Sequence, residues 1–162
     1  MVEVKVLREE NLAAAEQLYV ASVQDNPQGF IQQLHLFPNI KTFIRQAERD
    51  GGIFAGVFEN GQIVGMGVIV RKSDREAEVC KLHVRKEFKG RGYGEKLLNY
   101  LERMARRKGF EKLRLHVTTS QRPAINLYRK QAFLPTGNEV YMTEIEGKAY
   151  EYDTLYMEKL IV

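Results

Sequence analysis

The sequence has only one cysteine, Cys80, and no tryptophan. A single cysteine cannot form an internal disulfide framework, which excludes a disulfide-rich secreted domain. No apolar run approaches the roughly 18 residues that a membrane-spanning helix needs. The first residues, Val2 to Lys5, include two charged side chains rather than an apolar signal segment. No membrane association and a cytoplasmic location are therefore expected.

Several ligand-binding patterns are also missing. No Walker sequence G-x-x-x-x-G-K-[ST] occurs, and Glu95 stands where a dinucleotide-binding G-x-G-x-x-G sequence would need its third glycine. His35 and His116 have no metal-ligand spacing, so no metal site is expected. No helix-turn-helix, zinc-finger or RNP-like sequence is present, which leaves nucleic-acid binding as a minor alternative.

Length and composition indicate an ordinary globular protein. The 162 residues are 44% hydrophobic and 28% charged, which predicts one domain spanning residues 1–162. Positive charge is concentrated in one stretch, because Lys81 to Arg114 holds 12 Lys or Arg against 4 Asp or Glu. The rest of the chain holds 13 against 17. This distribution favours a compact polyanionic ligand near that stretch, and it also fits a nucleic-acid surface.

The hydrophobic periodicity predicts a mixed α/β fold. The predicted order is strand, two helices, three strands, helix, strand, helix and two strands. Glu59-Asn60-Gly61 predicts a hairpin turn, and Asn26-Pro27-Gln28-Gly29 predicts a second turn. The predicted elements lie at 2–6, 11–23, from 40, 52–58, 62–70, 76–84, 97–105, 113–117, 124–131, 140–145 and 150–160.

The most informative segment is the glycine cluster Lys89-Gly90-Arg91-Gly92-Tyr93-Gly94, which lies between a predicted strand and an amphipathic helix. Glycines ahead of a helix let the backbone approach a ligand and direct several N–H groups to one place. The helix dipole adds about half a positive charge there, so a phosphate or pyrophosphate is the expected guest. An ordinary tight turn is the alternative explanation.

Two motifs resemble those of the GNAT N-acetyltransferases. The glycine cluster is similar to the family's coenzyme A loop, Q/R-x-x-G-x-G/A, with Lys89 at the Gln or Arg position. The segment Pro123 to Phe133 resembles the family helix P-A-x-x-L-Y-x-K-x-G-F. Ala132 fills its glycine position, where a slightly changed helix exit is expected. Gln121 fills a position that often holds Asn, where a weaker cofactor contact is expected.

The resemblance implies a GNAT fold. That fold is a mixed, mostly antiparallel seven-stranded sheet that splays open between strands 4 and 5, with about four helices. It also implies acetyl-CoA as cosubstrate, bound in the opening between the two strands. The implied cofactor-binding residues are Leu82, His83, Val84, Lys89, Gly90, Arg91, Gly92, Tyr93, Gly94, Glu95, Gln121 and Asn126. Leu82 to Val84 would act through their backbone, and one of their N–H groups could polarise the acetyl carbonyl.

The same resemblance implies roles for two side chains in transfer of acetyl to a primary amine. Tyr128 would protonate the coenzyme A sulfur as a general acid, and the alternative is that it only packs. Glu78 would serve as general base, directly or through water, with a pKa that partial burial is expected to raise. The alternative for Glu78 is a solvent-facing carboxylate. Cys80 could carry an acetyl group, although a buried small hydrophobe is the favoured interpretation.

The acceptor is the least determined part. Glu139 to Leu160 is rich in acidic residues and tyrosines, which favours a cationic amine, although a solvated hairpin explains the composition equally well. The amine could belong to a small molecule or a protein. Homodimers are common in the family, and the sequence leaves the oligomeric state open. A non-catalytic module that senses acetyl-CoA is the main alternative function.

Overall fold

A computed structural model describes residues 1–25, 39–145 and 147–162, and its elements follow the predicted order. The predicted turn at 26–29, His35 and Glu146 lie outside the described residues. The strands are β1 Val2–Val6, β2 Ile53–Glu59, β3 Gln62–Arg71, β4 Glu76–Val84, β5 Lys112–Thr118, β6 Leu134–Ile145 and β7 Lys148–Leu160. The helices are α1 Leu12–Gln24, α2 Ile40–Arg49, α3 Tyr93–Arg107 and α4 Arg122–Lys130.

The seven strands form one sheet in the order β1-β2-β3-β4-β5-β7-β6. All neighbouring pairs are antiparallel except β4 and β5, which run parallel. The prediction of a mixed, mostly antiparallel sheet is confirmed. The predicted hairpin between β2 and β3 is present, with Asn60 at φ 51° and Gly61 at φ 81°. Two consecutive positive φ angles are the conformation that short hairpins favour.

Side chains alternate across the sheet and build an apolar cluster on each face. On one face, Leu97 and Leu101 of α3 pack with Leu113 of β5. On the other face, Leu18 of α1 and Ile44 of α2 pack with strand residues. The sheet is therefore covered by α3 and α4 on one side and by α1 and α2 on the other. None of the helices in the described ranges is long and apolar enough to span a membrane.

The exit of α4 depends on a residue in an unfavourable conformation. Ala132 lies in the left-handed region at φ 69°, which glycine adopts more readily. The N–H of Phe133 donates to the carbonyl of Tyr128 at 2.9 Å, and the Phe133 side chain is buried in the core. The alanine thus supports the sharp exit that a glycine would make, at a cost in backbone energy.

The C-terminal hairpin is longer than predicted. The β6 strand begins at Leu134, before the predicted start at Val140, and pairs with β7 as far as Ile145. The pairing register shifts between Pro135 and Gly137. These two residue types disfavour regular strands, which is why the sequence pattern did not indicate the first half of β6.

Candidate functional site

The parallel strands β4 and β5 separate part-way along their length. Within the described residues, their pairing runs from Glu76–Lys112 to Glu78–Arg114 and ends there. Antiparallel pairing on the other edge of β4 continues to Val84, opposite Gly65 of β3. The part of β4 after Glu78 therefore presents one backbone edge to the gap. The predicted splay between strands 4 and 5 is confirmed, and this edge can pair with an extended ligand.

A bulge changes the direction of β4 within this gap. The register with β3 shifts between Met66 and Val68, and Lys81 has φ 54°. A bulge bends the strand and re-aims the residues that follow it, here Leu82 to Val84. Lys81 is held by two aromatic rings, since its Nζ lies 5.4 Å from the ring centre of Tyr19 and 5.2 Å from that of Phe43. The bulge is thereby tied to α1 and α2.

The glycine loop lies between β4 and α3. Gly90 and Gly92 both have φ 81°, and a Cβ on either would meet no atom within 4 Å. Glycine is therefore favoured there by backbone conformation rather than by crowding. Gly92 precedes the first residue of α3 and has no side chain to cap the helix. The first N–H groups of α3 therefore receive no side-chain cap from this position.

The side chains around this loop divide into two groups. Lys89 and Arg91 are exposed, and the Arg91 guanidinium lies over the Phe88 ring at 4.9 Å. Tyr93 is 6% exposed, and its hydroxyl donates to Glu59 Oε1 at 2.6 Å, so its side chain points away from the loop surface. Glu95 pairs with Lys130 at 3.0 Å. The side chains of Tyr93 and Glu95, two of the predicted cofactor-binding residues, are therefore engaged with other residues of the protein.

Tyr128 is the buried residue of α4, and it is 8% exposed. Its ring packs edge-on against Phe133 at 5.9 Å between centres. Burial, together with an electrostatic interaction with Cys80 of β4, raises the pKa of Tyr128 to about 12. The phenol is therefore protonated at neutral pH and can serve as a proton donor. Gln121 precedes the first turn of α4, and Asn126 is exposed on the same helix.

The predicted raised pKa of Glu78 is wrong. Burial alone would raise it, as expected, but a hydrogen bond with His116 and the charge of Lys72 outweigh burial. The pKa of Glu78 is lowered to about 2. The Oε1 atom lies 3.0 Å from His116 Nδ1, and Oε2 lies 3.3 Å from Lys72 Nζ. Since efficient bases have pKa values near the working pH, Glu78 is a weak direct proton acceptor.

Sequence reasoning did not identify His116 as a functional residue. It lies on β5, two residues beyond Arg114, where the β4–β5 pairing ends. The alternation of Leu115 and Val117 into the core places His116 on the opposite face of the sheet. That alternation was readable from the sequence. The parallel register of β4 and β5, which brings His116 beside Glu78, could not be predicted from the sequence.

The side chain of His83 has a packing role that was not predicted. His83 Nδ1 lies 2.8 Å from Ser22 Oγ of α1, and the ring meets Tyr19 edge-on at 5.2 Å. Burial, with the charges of Lys81 and Lys89, lowers the pKa of His83 to about 4. The imidazole is therefore neutral at physiological pH, and it anchors the end of β4 to α1.

Cys80 is half-buried, and its side chain packs with the α1–α2 face. Burial, followed by the charge of Glu78, raises the pKa of the Cys80 thiol to about 12. Because the thiolate is the nucleophilic form, this environment disfavours an acetyl-cysteine intermediate.

An acidic and aromatic cluster lies on the strands beyond β5. The hydroxyls of Tyr141 and Tyr156 donate to Glu139 Oε2 at 2.8 and 3.0 Å, and they also contact each other. Tyr156 pairs with His116 across β5 and β7, with ring centres 6.2 Å apart. This cluster, Glu139, Tyr141 and Tyr156, therefore borders Glu78 and His116. Within the described residues, no group of three or more potential ligand side chains could hold a metal ion.

The family comparison agrees with this geometry. The family model described as "Acetyltransferase (GNAT) family" matches residues 15–133 of the chain, which is well over half of its length. The chain belongs to the GNAT acetyltransferase family. The family match includes the glycine loop, the β4–β5 gap and Tyr128 of this GNAT protein.

Similar proteins have been described in several bacteria. An uncharacterized acetyltransferase of Streptococcus pyogenes serotype M1 is 33% identical over 64 residues, which are 40% of this GNAT chain and 45% of the relative. Less than half of that relative is therefore spanned.

Two solved structures share the fold along almost the whole chain. A ribosomal-protein-alanine N-acetyltransferase from Brucella melitensis has a TM-score of 0.82 at 22% identity, covering 98% of this chain and 99% of that one. The yncA structure from Salmonella typhimurium, with its cofactor acetyl-CoA, has a TM-score of 0.84 at 19% identity, covering 100% and 95%. At these identities the likeness shows the fold of this GNAT chain.

Proposed function

We propose that the protein is an N-acetyltransferase that transfers the acetyl group of acetyl-CoA directly to a primary amine. One observation carries this proposal. The glycine loop follows β4, the pairing of β4 with β5 ends at Glu78, and the buried, protonated Tyr128 interacts with Cys80 of the same strand. The loop N–H groups would bind the pyrophosphate. The backbone of Leu82 to Val84 would pair with the pantetheine arm, and one N–H would polarise the acetyl carbonyl.

Tyr128 is proposed as the general acid. The C–N bond forms as the amine attacks the thioester, the C–S bond breaks, and the departing sulfur takes the phenolic proton. A buried tyrosine with a pKa of about 12 is protonated at neutral pH. Because a free thiol is the stronger acid, transfer of this proton to a free thiolate is uphill, and the phenol donates only as negative charge develops on the sulfur of the breaking C–S bond. Glu78, with its lowered pKa, supplies a fixed negative charge in the site rather than acting as the direct base.

The acceptor is proposed to be a cationic amine. The cluster of Glu139, Tyr141 and Tyr156 lies on the same side of the sheet as Glu78. Carboxylates attract an ammonium group, and the faces of tyrosine rings bind cations. Lysine side chains, polyamines and aminoglycosides are therefore expected to be better acceptors than acidic amino acids.

The test is a panel of amines with acetyl-CoA, monitored by release of free thiol. Spermidine, kanamycin, Nα-acetyl-lysine amide and a peptide with an N-terminal alanine would be compared with glutamate. Tyr128→Phe should lower kcat by about 10²–10⁴-fold while the affinity for acetyl-CoA, measured by calorimetry, is kept. Tyr100→Phe is the matched control, because it removes the hydroxyl of another partly buried tyrosine, one on α3 whose ring contacts Arg103.

The possible outcomes separate the alternatives. Full turnover by Tyr128→Phe would contradict the acid role while leaving the activity intact. Binding of acetyl-CoA without transfer to any amine would favour a sensing module. Absence of binding would overturn the proposal, and DNA or RNA binding with a steep salt dependence would then favour the nucleic-acid alternative.

A further inference from the structure

The pair Glu78–His116 has a defined hydrogen-bond direction. Glu78 is ionised at neutral pH, and an ionised carboxylate can only accept hydrogen bonds. The 3.0 Å contact between Glu78 Oε1 and His116 Nδ1 therefore requires the proton on Nδ1. In the neutral imidazole the lone pair then resides on Nε2. The contact with Lys72 occupies the other carboxylate oxygen and fixes the orientation of Glu78.

The position of this pair connects it with the gap that would hold the thioester. His116 lies two residues beyond Arg114, the last β5 residue that pairs with β4, and its side chain is 58% exposed, so a substrate can reach the ring. Tyr128 packs in the apolar cluster of the α3–α4 face together with Leu115 and Val117, the neighbours of His116 on β5. The imidazole and the phenol therefore lie on opposite faces of the sheet.

We propose that Nε2 of His116 is the proton acceptor for the attacking amine, and that Glu78 is the positioning residue that orients the ring through Nδ1. This inference rests on the proposed acetyl transfer. A base that is itself oriented by a third group is the arrangement by which proteins activate weak nucleophiles. Histidine suits the role because its neutral imidazole has a second ring nitrogen that can accept a proton, whereas the two oxygens of Glu78 contact His116 and Lys72.

The proton and electron balance is complete with the two substrates alone. The ammonium group of the acceptor first loses one proton to solvent. The neutral amine then supplies the electron pair of the new C–N bond, and its nitrogen loses a second proton to His116 Nε2. The C–S electron pair leaves with sulfur, which takes the proton of Tyr128. Solvent then receives the proton from the imidazolium and returns one to the phenolate. The products are the acetamide and coenzyme A thiol.

Charged and titratable groups around His116 come from four strands and one connection. Glu78 contacts both His116 and Lys72, and Tyr156 lies opposite His116 on β7. A change in the pH profile must therefore be compared across these neighbours. The described groups that contact His116 or its partners are Lys72, Glu78, Cys80, Glu139, Tyr141 and Tyr156, and Arg114 lies two residues before His116 on the same face of β5.

The experiment measures the pH dependence of kcat/KM for the wild-type protein, His116→Ala and Glu78→Gln, using the amine panel above. His116→Ala should lower kcat by at least about 10²-fold at pH 7, remove the ascending limb of the profile and leave the acetyl-CoA affinity unchanged. Added imidazole should restore part of the lost rate. Glu78→Gln should lower kcat while leaving the amine KM and the acetyl-CoA affinity unchanged, because the ionised acceptor that orients the ring is gone. Arg114→Gln, two residues away on the same face, is the control for perturbing this strand.

Failure of this inference differs from failure of the proposed function. If the wild-type protein transfers acetyl groups and His116→Ala keeps its rate and pH profile, His116 is not the base. A reduced rate that imidazole does not restore, with an unmoved limb, also overturns the inference and indicates a structural role. If the wild-type protein acetylates none of the amines, both the proposed function and the role of His116 are wrong.

Discussion

Replacing Glu78 with glutamine should flatten the acid side of the stability profile. The folded-state pKa of Glu78 is about 2, against an ordinary value of 4.5, because His116 and Lys72 stabilise the charged carboxylate despite its burial. A lowered folded-state pKa means that the stabilisation is complete above the unfolded-state value and is lost as the pH falls toward 2. Between pH 7 and pH 3, the part lost is about 2 kcal/mol.

Urea unfolding followed by circular dichroism at pH 7, 5 and 3 measures this effect. The free energy of unfolding of Glu78→Gln should depend on pH less than that of the wild-type protein, with a difference of about 2 kcal/mol across the range. Glu10→Gln, which removes an exposed carboxylate on the surface, is the matched control. Parallel pH curves for Glu78→Gln and wild type would show that the His116 and Lys72 contacts do not stabilise the carboxylate, and would refute the reasoning.

Three further predictions concern the backbone and the thiol. Ala132→Gly should raise the free energy of unfolding by about 0.5–1 kcal/mol, because the relief of left-handed strain exceeds the added entropy of the unfolded chain. Gly109→Ala, at φ 91°, should lower the free energy of unfolding. Thermal unfolding would measure both, and a destabilised Ala132→Gly would contradict the strain. Gly92→Ala should weaken acetyl-CoA binding, measured by calorimetry, about tenfold, because an alanine at φ 81° is strained where α3 begins. An unchanged affinity would mean that the loop does not bind the pyrophosphate. Iodoacetamide at pH 8 should modify Cys80 at least about 10³-fold more slowly in the native protein than in urea, because burial raises the pKa of the thiol. Equal rates of modification, measured by mass spectrometry, would contradict the raised pKa of Cys80.

Local patterns predicted most of the fold. The alternation in β4, the turn at Asn60 and Gly61, and the glycines before α3 each act over a few residues, and the structure contains all three. The order of elements followed from these patterns, and the splay followed from the family resemblance. The first half of β6 was missed, because Pro135 and Gly137 interrupt the period that identifies a strand.

The electrostatics of the site could not be predicted in the same way. Partial burial of Glu78 was a correct expectation, but its pKa depends on His116, which is 38 positions away along the chain. The anchor of His83 is Ser22, which is 61 positions away. Such contacts are set by sheet register and helix packing, and a short sequence window contains neither.

The two apolar clusters lie on opposite faces of the sheet, and this separation has a consequence for how the protein can diversify. The glycine loop and Tyr128 belong to the layer of α3 and α4, whereas His83 and Lys81 connect to the layer of α1 and α2. Substitutions on the α1–α2 side that keep Tyr19, Ser22 and Phe43, which hold the end of β4, can therefore be made without disturbing α3 and α4. On the proposed function, a library randomised on that side with these three residues kept should retain donor affinity in most of its folded members.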